Sequence, residues 1–258
     1  MYKSKDINTS VILDFIGEEN LNHIDEYVNE VLRRNFIVLK TDEEIDKFFE
    51  PIFEDLYNNL SYDDETTLRY YTTRAHQSIN SVLRNKWNYE VSGRLTKEDK
   101  EFYKKTADEM DSIISKNREL PDNLITYRAV GINAFRDYGV SKIEDLPDLV
   151  GEYLYEAAFT STSIKRNGTL LDTSDWYGKR TIEIEYLIPY ECQDGLPLTM
   201  SGFSFYTEES EYLINKDSLI KIVDVNISDD KSHAYIKAVY IPIKIWDRAR
   251  YDQQSISR

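Results

Sequence analysis

The chain is poor in the residues that build metal cages and covalent cross-links. Cys192 is the only cysteine among 258 residues, which excludes an intrachain disulfide and a thiolate zinc cage. Three histidines, His23, His76 and His233, stand far apart, so the i,i+4 pair of a zincin helix is missing and no metal is expected. Positive charge is short as well: 32 Lys plus Arg face 47 Asp plus Glu, for a net charge of −15. Nucleic acids and anionic membrane surfaces are met by clustered cations, so neither is expected as a partner. No apolar run reaches the length of about 18 residues that spans a membrane. Near the start, Asp14 interrupts Val11-Ile12-Leu13 at once. The uninterrupted apolar stretch of a signal peptide is therefore lacking, and the chain is expected to be cytosolic or already processed. Neither G-x-G-x-x-G nor G-x-x-x-x-G-K-[ST] occurs, which removes the usual Rossmann and P-loop phosphate cradles.

What is present reads as globular, with 41% hydrophobic and 31% charged residues. A chain of this length buries about 70–75% of its unfolded surface. Helical periodicity dominates the first 120 residues. Leu21, Ile24, Val28, Val31 and Leu32 share one helix face. Thr41-Asp42-Glu43-Glu44 reads as a capping box, followed by the stripe Ile45, Phe48, Phe49, Ile52, Phe53 and Leu56. Pro51 is expected to kink or split that helix. A third helix is predicted over Thr66 to Leu83, and a fourth after a Thr96 cap, carrying Phe102, Met110, Ile113 and Ile114. Ser141-Lys142-Ile143-Glu144 is read as the opening of one more short helix. After Pro121 the period changes to two. Strands are predicted at Leu124–Val130, Ala158–Ile164, Arg180–Ile188, Glu209–Ile214, Leu219–Val225 and Ala234–Ile245. Helices first and strands afterwards give an α+β class.

Three strand segments carry chemistry. Thr126-Tyr127-Arg128 places an arginine within a strand. Phe159-Thr160-Ser161-Thr162-Ser163 places Ser161 and Ser163 on one face. In Tyr206-Thr207-Glu208-Glu209-Ser210-Glu211, strand alternation puts Glu209 and Glu211 on one face, about 6.5–7 Å apart. Each segment alone also describes an ordinary strand. Glu183-Ile184-Glu185 even repeats the E-x-E pattern. The order of Arg, Ser-Thr-Ser and E-x-E on separate strands is far less ordinary.

With that order, the chain resembles mono-ADP-ribosyltransferases of the Arg/Ser-Thr-Ser/Glu-x-Glu class, which includes clostridial binary-toxin enzyme components and Rho-modifying exoenzymes. The likeness covers roughly residues 41–245. Ser78-Ile79-Asn80-Ser81-Val82-Leu83-Arg84 is similar to the family's IN..LR helix segment, with Tyr71 nine residues before Asn80. Tyr177-Gly178-Lys179-Arg180 resembles the aromatic-x-x-Arg of the loop that clasps phosphate and nicotinamide. Tyr206 lies three residues before Glu209, like the aromatic of the family's substrate-recognition turn. His76 stands where relatives often carry a second tyrosine, and is read as a helix-surface or cleft-wall residue. Glu183 and Glu185 lack the preceding tyrosine and are read as the polar face of a structural strand.

The resemblance implies N-terminal helices packed on two β-sheets that form an NAD cleft, with residues 1–40 as a helical extension and 41–258 as the transferase domain. NAD is implied as substrate. Glu211 would stabilise the oxocarbenium-like ribose, and Ser161 would hold Glu211. Arg128 would take the pyrophosphate, with Tyr71, Asn80, Ser161, Tyr177 and Arg180 completing the NAD site. Glu209, with Phe205 and Tyr206, would present the target residue. Relatives with Gln at the first E-x-E position can modify asparagine, so Glu209 implies arginine. The implied partner is a target protein, such as actin or a small GTPase, and the implied setting is a toxin or effector delivered into a host cytosol by other components. Two alternatives share the same residues: an NAD glycohydrolase with water as acceptor, and a phage or intracellular transferase.

Overall fold

The computed structural model describes residues 16, 18–84, 95–168, 171–175, 178–198 and 210–247. The helical half comprises α1 (Glu18–Val31), α2 (Asp42–Asn59), α3 (Tyr62–Tyr70), α4 (His76–Leu83) and α5 (Lys97–Ser115). Capping boxes open three of them, because a hydroxyl and a carboxylate three residues on satisfy backbone donors that a helix start leaves orphaned. They are Thr41 with Glu44, Ser61 with Asp64, and Thr96 with Asp99. Pro51 does not split α2, which runs unbroken through it. The carbonyl it deprives of a partner is that of Lys47, on an exposed part of the helix.

The predicted third helix divides. α3 begins earlier, at the Ser61 cap, and the chain breaks at Thr73, whose φ/ψ of −75°/−168° are not helical. The Thr73 hydroxyl donates to the Tyr70 carbonyl at 2.6 Å and accepts from the Ala75 N–H at 3.2 Å. One threonine thus closes α3 and starts the next turn. Leu32, read onto the apolar face of the first helix, and Phe102 on α5 are exposed; Leu32 lies just past the end of α1.

The strands are β1 (Leu124–Val130), β2 (Tyr153–Glu156), β3 (Thr160–Ser163), β4 (Ser174–Asp175), β5 (Gly178–Lys179), β6 (Ile182–Ile188), β7 (Gly195–Pro197), β8 (Glu211–Ile214), β9 (Ser218–Ile227) and β10 (Ala234–Ile241). β1 has the predicted bounds. β10 is shorter than expected because Pro242 caps a last turn, α6 (Ile243–Trp246). β2, β7 and the β4–β5 hairpin lacked a long alternating run and were not predicted. Short 3₁₀ segments at Ile132–Tyr138 and Ile143–Leu149 separate β1 from β2; the second is the short helix expected there.

Eight strands form one hydrogen-bonded sheet in the order β2-β9-β10-β6-β1-β3-β8-β7. The two sheets expected from the sequence are therefore two halves of one ladder. β1 and β3 share a single registered pair, Tyr127 with Ser163, whereas β1 and β6 are paired over seven residues. Only Ala157, Ala158 and Phe159 connect β2 to β3, although the two strands are five places apart. Five strand spacings in a flat sheet are about 24 Å, and four Cα steps reach at most about 14 Å. The sheet must curl, bringing the β2 edge round to the start of β3.

Inside that curl lies the main core: Leu154, Ile184, Tyr186, Ile222, Ile236, Ala238 and Tyr240, closed by Ile45, Phe49 and Ile52 of α2. A second cluster packs α3, α4 and α5 on Phe159, Leu196, Leu198 and Leu213. A third covers the opposite face, where α1 lays Ile24, Tyr27, Val28 and Val31 on Leu187, Leu219 and Val239.

Candidate active site

Arg128, Ser161 and Glu211 lie on β1, β3 and β8, which are neighbours in the sheet. Arg128 is one residue beyond the Tyr127–Ser163 pair and opposite Ile184, so its side chain leaves on the face of Ile184 and Tyr186. On β3, Ser163 pairs with Glu211 and Ser161 with Leu213. Ser161, Ser163 and Glu211 therefore share a face, with Ser163 directly across from Glu211 and Ser161 diagonal to it, at about 7–8 Å between Cα atoms. The Ser163 hydroxyl donates to the Lys165 carbonyl at 2.7 Å. Ser161 is exposed and Glu211 half-buried.

The kink at Thr73 supplies the helical wall. On a straight helix, Tyr71 and Asn80 would be separated by about 13.5 Å of rise. Across the break the Asn80 Nδ2 lies 3.4 Å from the Tyr71 hydroxyl and 3.4 Å from the Phe159 carbonyl. Asn80 thus ties α4 to the strand that carries Ser-Thr-Ser, and its buried Oδ1 accepts nothing from the described residues. His76 lies at the kink, its Nδ1–H donating to the Thr73 carbonyl at 2.6 Å.

Two buried phenols report how the charges converge. Burial pushes the Tyr71 pKa up; the Glu211 charge adds to this, while Asn80, Arg84 and Arg128 oppose it. Burial also raises Tyr186, where Arg128 and Arg84 pull down and Glu156 pushes up. Arg128 and Arg84 thus act on both phenols, Glu211 on Tyr71 and Glu156 on Tyr186. Arg84 and Glu156 were not among the predicted site residues. Their pairing spans 72 positions and has no local signature.

Strand alternation does not carry the Glu209–Glu211 argument. β8 begins at Glu211, and Ser210 has φ +46°, a left-handed conformation rare for a side chain other than glycine. The side-chain period of two therefore stops at Ser210. Glu209, Phe205, Tyr206 and Tyr177 lie outside the described residues. Arg180 closes the base of the β4–β5 hairpin, its N–H donating to the Thr173 carbonyl and its carbonyl accepting from the Asp172 N–H, both at 2.9 Å. The competing E-x-E is occupied: Glu183, nearly buried, takes Arg166 at 2.6 Å, and Glu185 takes Lys237 at 3.3 Å. Arg166 also lies over the Tyr127 and Tyr235 rings.

A family model described as ADP-ribosyltransferase exoenzyme matches residues 46–241. The chain belongs to that family. Three solved structures show the same fold. C3stau2 from S. aureus, determined with NAD, is 18% identical with a TM-score of 0.62, over 81% of this chain and 100% of that one. BECa of a C. perfringens binary enterotoxin, determined with NADH, is 18% identical at 0.62, over 81% of this chain and 50% of its own. Vis toxin from Vibrio splendidus, determined with agmatine, is 17% identical at 0.54, over 84% and 93%. A search of the curated proteins finds no match. The helix-first, sheet-second α+β exoenzyme architecture follows from these likenesses. Among the described residues no group of acids, histidines or cysteines could hold a metal ion, and no helix is long and apolar enough to cross a membrane.

Proposed function

We propose that this exoenzyme-family protein is an NAD⁺-dependent mono-ADP-ribosyltransferase that modifies an arginine of a target protein. The observation that supports the reading is that the charges of Arg128 and Glu211 both reach the buried Tyr71 hydroxyl, which lies 3.4 Å from Asn80 Nδ2. Arg128 offers a planar two-point donor to the pyrophosphate. Asn80 contributes a buried acceptor to the bound dinucleotide. Ser161, with Tyr177 and Arg180, completes the NAD⁺ site. The bond from nicotinamide nitrogen to ribose C1′ breaks, and its electron pair leaves with neutral nicotinamide. The ribose becomes oxocarbenium-like, as a sugar does in glycoside hydrolysis. Glu211, held by Ser161, stabilises that cation through the 2′-hydroxyl.

Glu209 then fixes the incoming guanidinium, whose nitrogen forms the new bond to C1′, and accepts its proton as the bond closes. A protonated guanidinium is a poor nucleophile, with a pKa above about 12. Two observations support arginine: the first E-x-E position is Glu rather than Gln, and a structural neighbour was determined with agmatine, a guanidinium compound. Phe205 and Tyr206 present an aromatic surface to the target. We divide the chain into an N-terminal extension, residues 1–40, and the transferase domain, 41–258, a division supported by the family match starting at 46. We read the protein as a toxin or effector that acts in a host cytosol, on actin, a small GTPase or another arginine-bearing target.

The test is incubation with labelled NAD⁺ and host lysate, with the modified residue mapped and nicotinamide release measured in parallel. Glu211→Gln is expected to lose both activities by about 10²–10³-fold, and Glu185→Gln to keep both. Glu209→Gln is expected to lose transfer while retaining hydrolysis. Transfer to a residue other than arginine, or release with water as the only acceptor, would refute the specificity.

A further inference from the structure

The three-residue crossover from β2 to β3 is held in place from the helical side. Glu156 ends β2, and its carboxylate takes both arms of the Arg84 guanidinium, Nε at 2.9 Å and Nη2 at 3.0 Å. The same Oε1 accepts the Ala158 N–H at 2.9 Å. One residue further on, the Phe159 carbonyl lies 3.4 Å from Asn80 Nδ2. On the β2 side, the Tyr138 hydroxyl donates to the Tyr155 carbonyl at 2.8 Å. Arg84 and Asn80 sit one helical turn apart at the end of α4. One helix face thus fixes the segment immediately before Thr160-Ser161-Thr162-Ser163.

We propose that Glu156 is a positioning residue for turnover: by binding Arg84 and the Ala158 N–H together, it sets where β3 begins and so how Ser161 stands against Glu211. The inference rests on the transferase reading above and adds a residue to that site. Its physical basis is the lack of any other slack in this connection. The crossover is only three residues long, so its end points constrain the start of β3, which β8 holds from the other side. A bidentate guanidinium–carboxylate pair fixes angle as well as distance, which a single contact does not. The pair is partly exposed, with side chains 27% and 35% accessible. Losing it removes geometry rather than burying an orphan charge, so the fold survives the change.

The experiment measures NAD⁺ cleavage by the full chain carrying Glu156→Gln, Arg84→Gln and both, with melting temperatures recorded alongside. A misplacement of the order of 1 Å costs up to about 10²-fold in rate. Each single variant is therefore expected to lose about 10-fold or more in kcat, with KM for NAD⁺ changed by less than about threefold. The double variant is expected to be no slower than either single, because both break one unit. If Glu156→Gln fails to fold, Arg84→Lys carries the same kcat expectation, since an ammonium cannot reproduce the fork. Unchanged kcat, losses that multiply in the double variant, or a rise in KM with kcat intact would each overturn the role. Wild-type protein that does not cleave NAD⁺ would instead overturn the transferase reading.

Discussion

Replacing Gly195 by alanine is expected to destabilise the protein at a point next to the proposed catalytic strand. β7 pairs with β8 through Gly195 and Ile214, and the ring of Tyr212 crosses over Gly195. A Cβ at 195 would lie 2.3 Å from the Tyr212 hydroxyl oxygen, 2.4 Å from Cζ and 2.5 Å from Cε1. Ordinary contact needs about 3.5 Å or more, so the ring must retreat by about 1 Å. It has nowhere to go. Tyr212 is fully buried, stacked against Phe49 at 6.0 Å between centroids, and its hydroxyl is 4.0 Å from the buried Cys192 sulfur. Overpacking of this kind costs about 1–3 kcal/mol, and here three atoms of a rigid ring are involved, so the upper part of that range applies. For a chain of this size that is a fall in Tm of roughly 5–10 °C, read by thermal unfolding followed by circular dichroism. Turnover should fall as well, because Tyr212 follows Glu211 directly and its carbonyl accepts the Thr162 hydroxyl at 2.8 Å. Placing Gly195→Ala in a Tyr212→Leu background removes the clashing atoms, so its added cost there should be smaller. A single variant melting within about 2 °C of wild type, or an equal cost in both backgrounds, would refute the reasoning.

Arg128→Ala is expected to weaken NAD⁺ binding measured by calorimetry, whereas Ser161→Ala should mainly lower kcat; unchanged affinity in Arg128→Ala would remove its phosphate role. At the hairpin, hydrogen bonds from Lys179 first and His233 second hold the Asp172 carboxyl below its usual pKa. A carboxyl depressed on folding contributes stability that is present above its ordinary pKa and lost as pH falls through the lower folded value. NMR titration should therefore give Asp172 a midpoint below about 3.9, moving up in Lys179→Ala, and an unmoved midpoint would show that the lysine is not the cause.

Features written into short stretches of sequence were legible. Thr41 and Thr96 announce their helices because a cap and its carboxylate are three residues apart, and β1 alternates cleanly between Leu124 and Val130. Ser61-Tyr62-Asp63-Asp64 carries the same signature and marks the true start of α3. The break at Thr73 was not legible, since a threonine capping a helix and one inside it look alike in sequence. The Arg, Ser-Thr-Ser and E-x-E order pointed to Arg128 and Ser161, and the tyrosine before Glu209 turned the reading towards Glu209 and Glu211 and away from Glu183 and Glu185, which the fold pairs with Arg166 and Lys237. The end of strand alternation at Ser210 was not legible, because a positive φ on a serine has no mark in the sequence. Glu156 and Arg84 escaped notice because only the curl of the sheet brings them together.

The position of β10 has a consequence for synthesis of the chain. The last strand among the described residues lies inside the sheet, parallel to β6 over six residues and antiparallel to β9, with Ala234, Ile236 and Ala238 sealed in the core. A nascent chain that has already exposed Arg128, Ser161 and Glu211 still lacks the strand that joins β6 to β9 and β2. About thirty more residues separate Glu211 from the end of β10, roughly 2–6 s at ordinary translation rates. Until they are made, the curl that holds Glu156 against Arg84 has no middle, and a ribosome-bound or prematurely ended chain carries the chemical groups without the cleft.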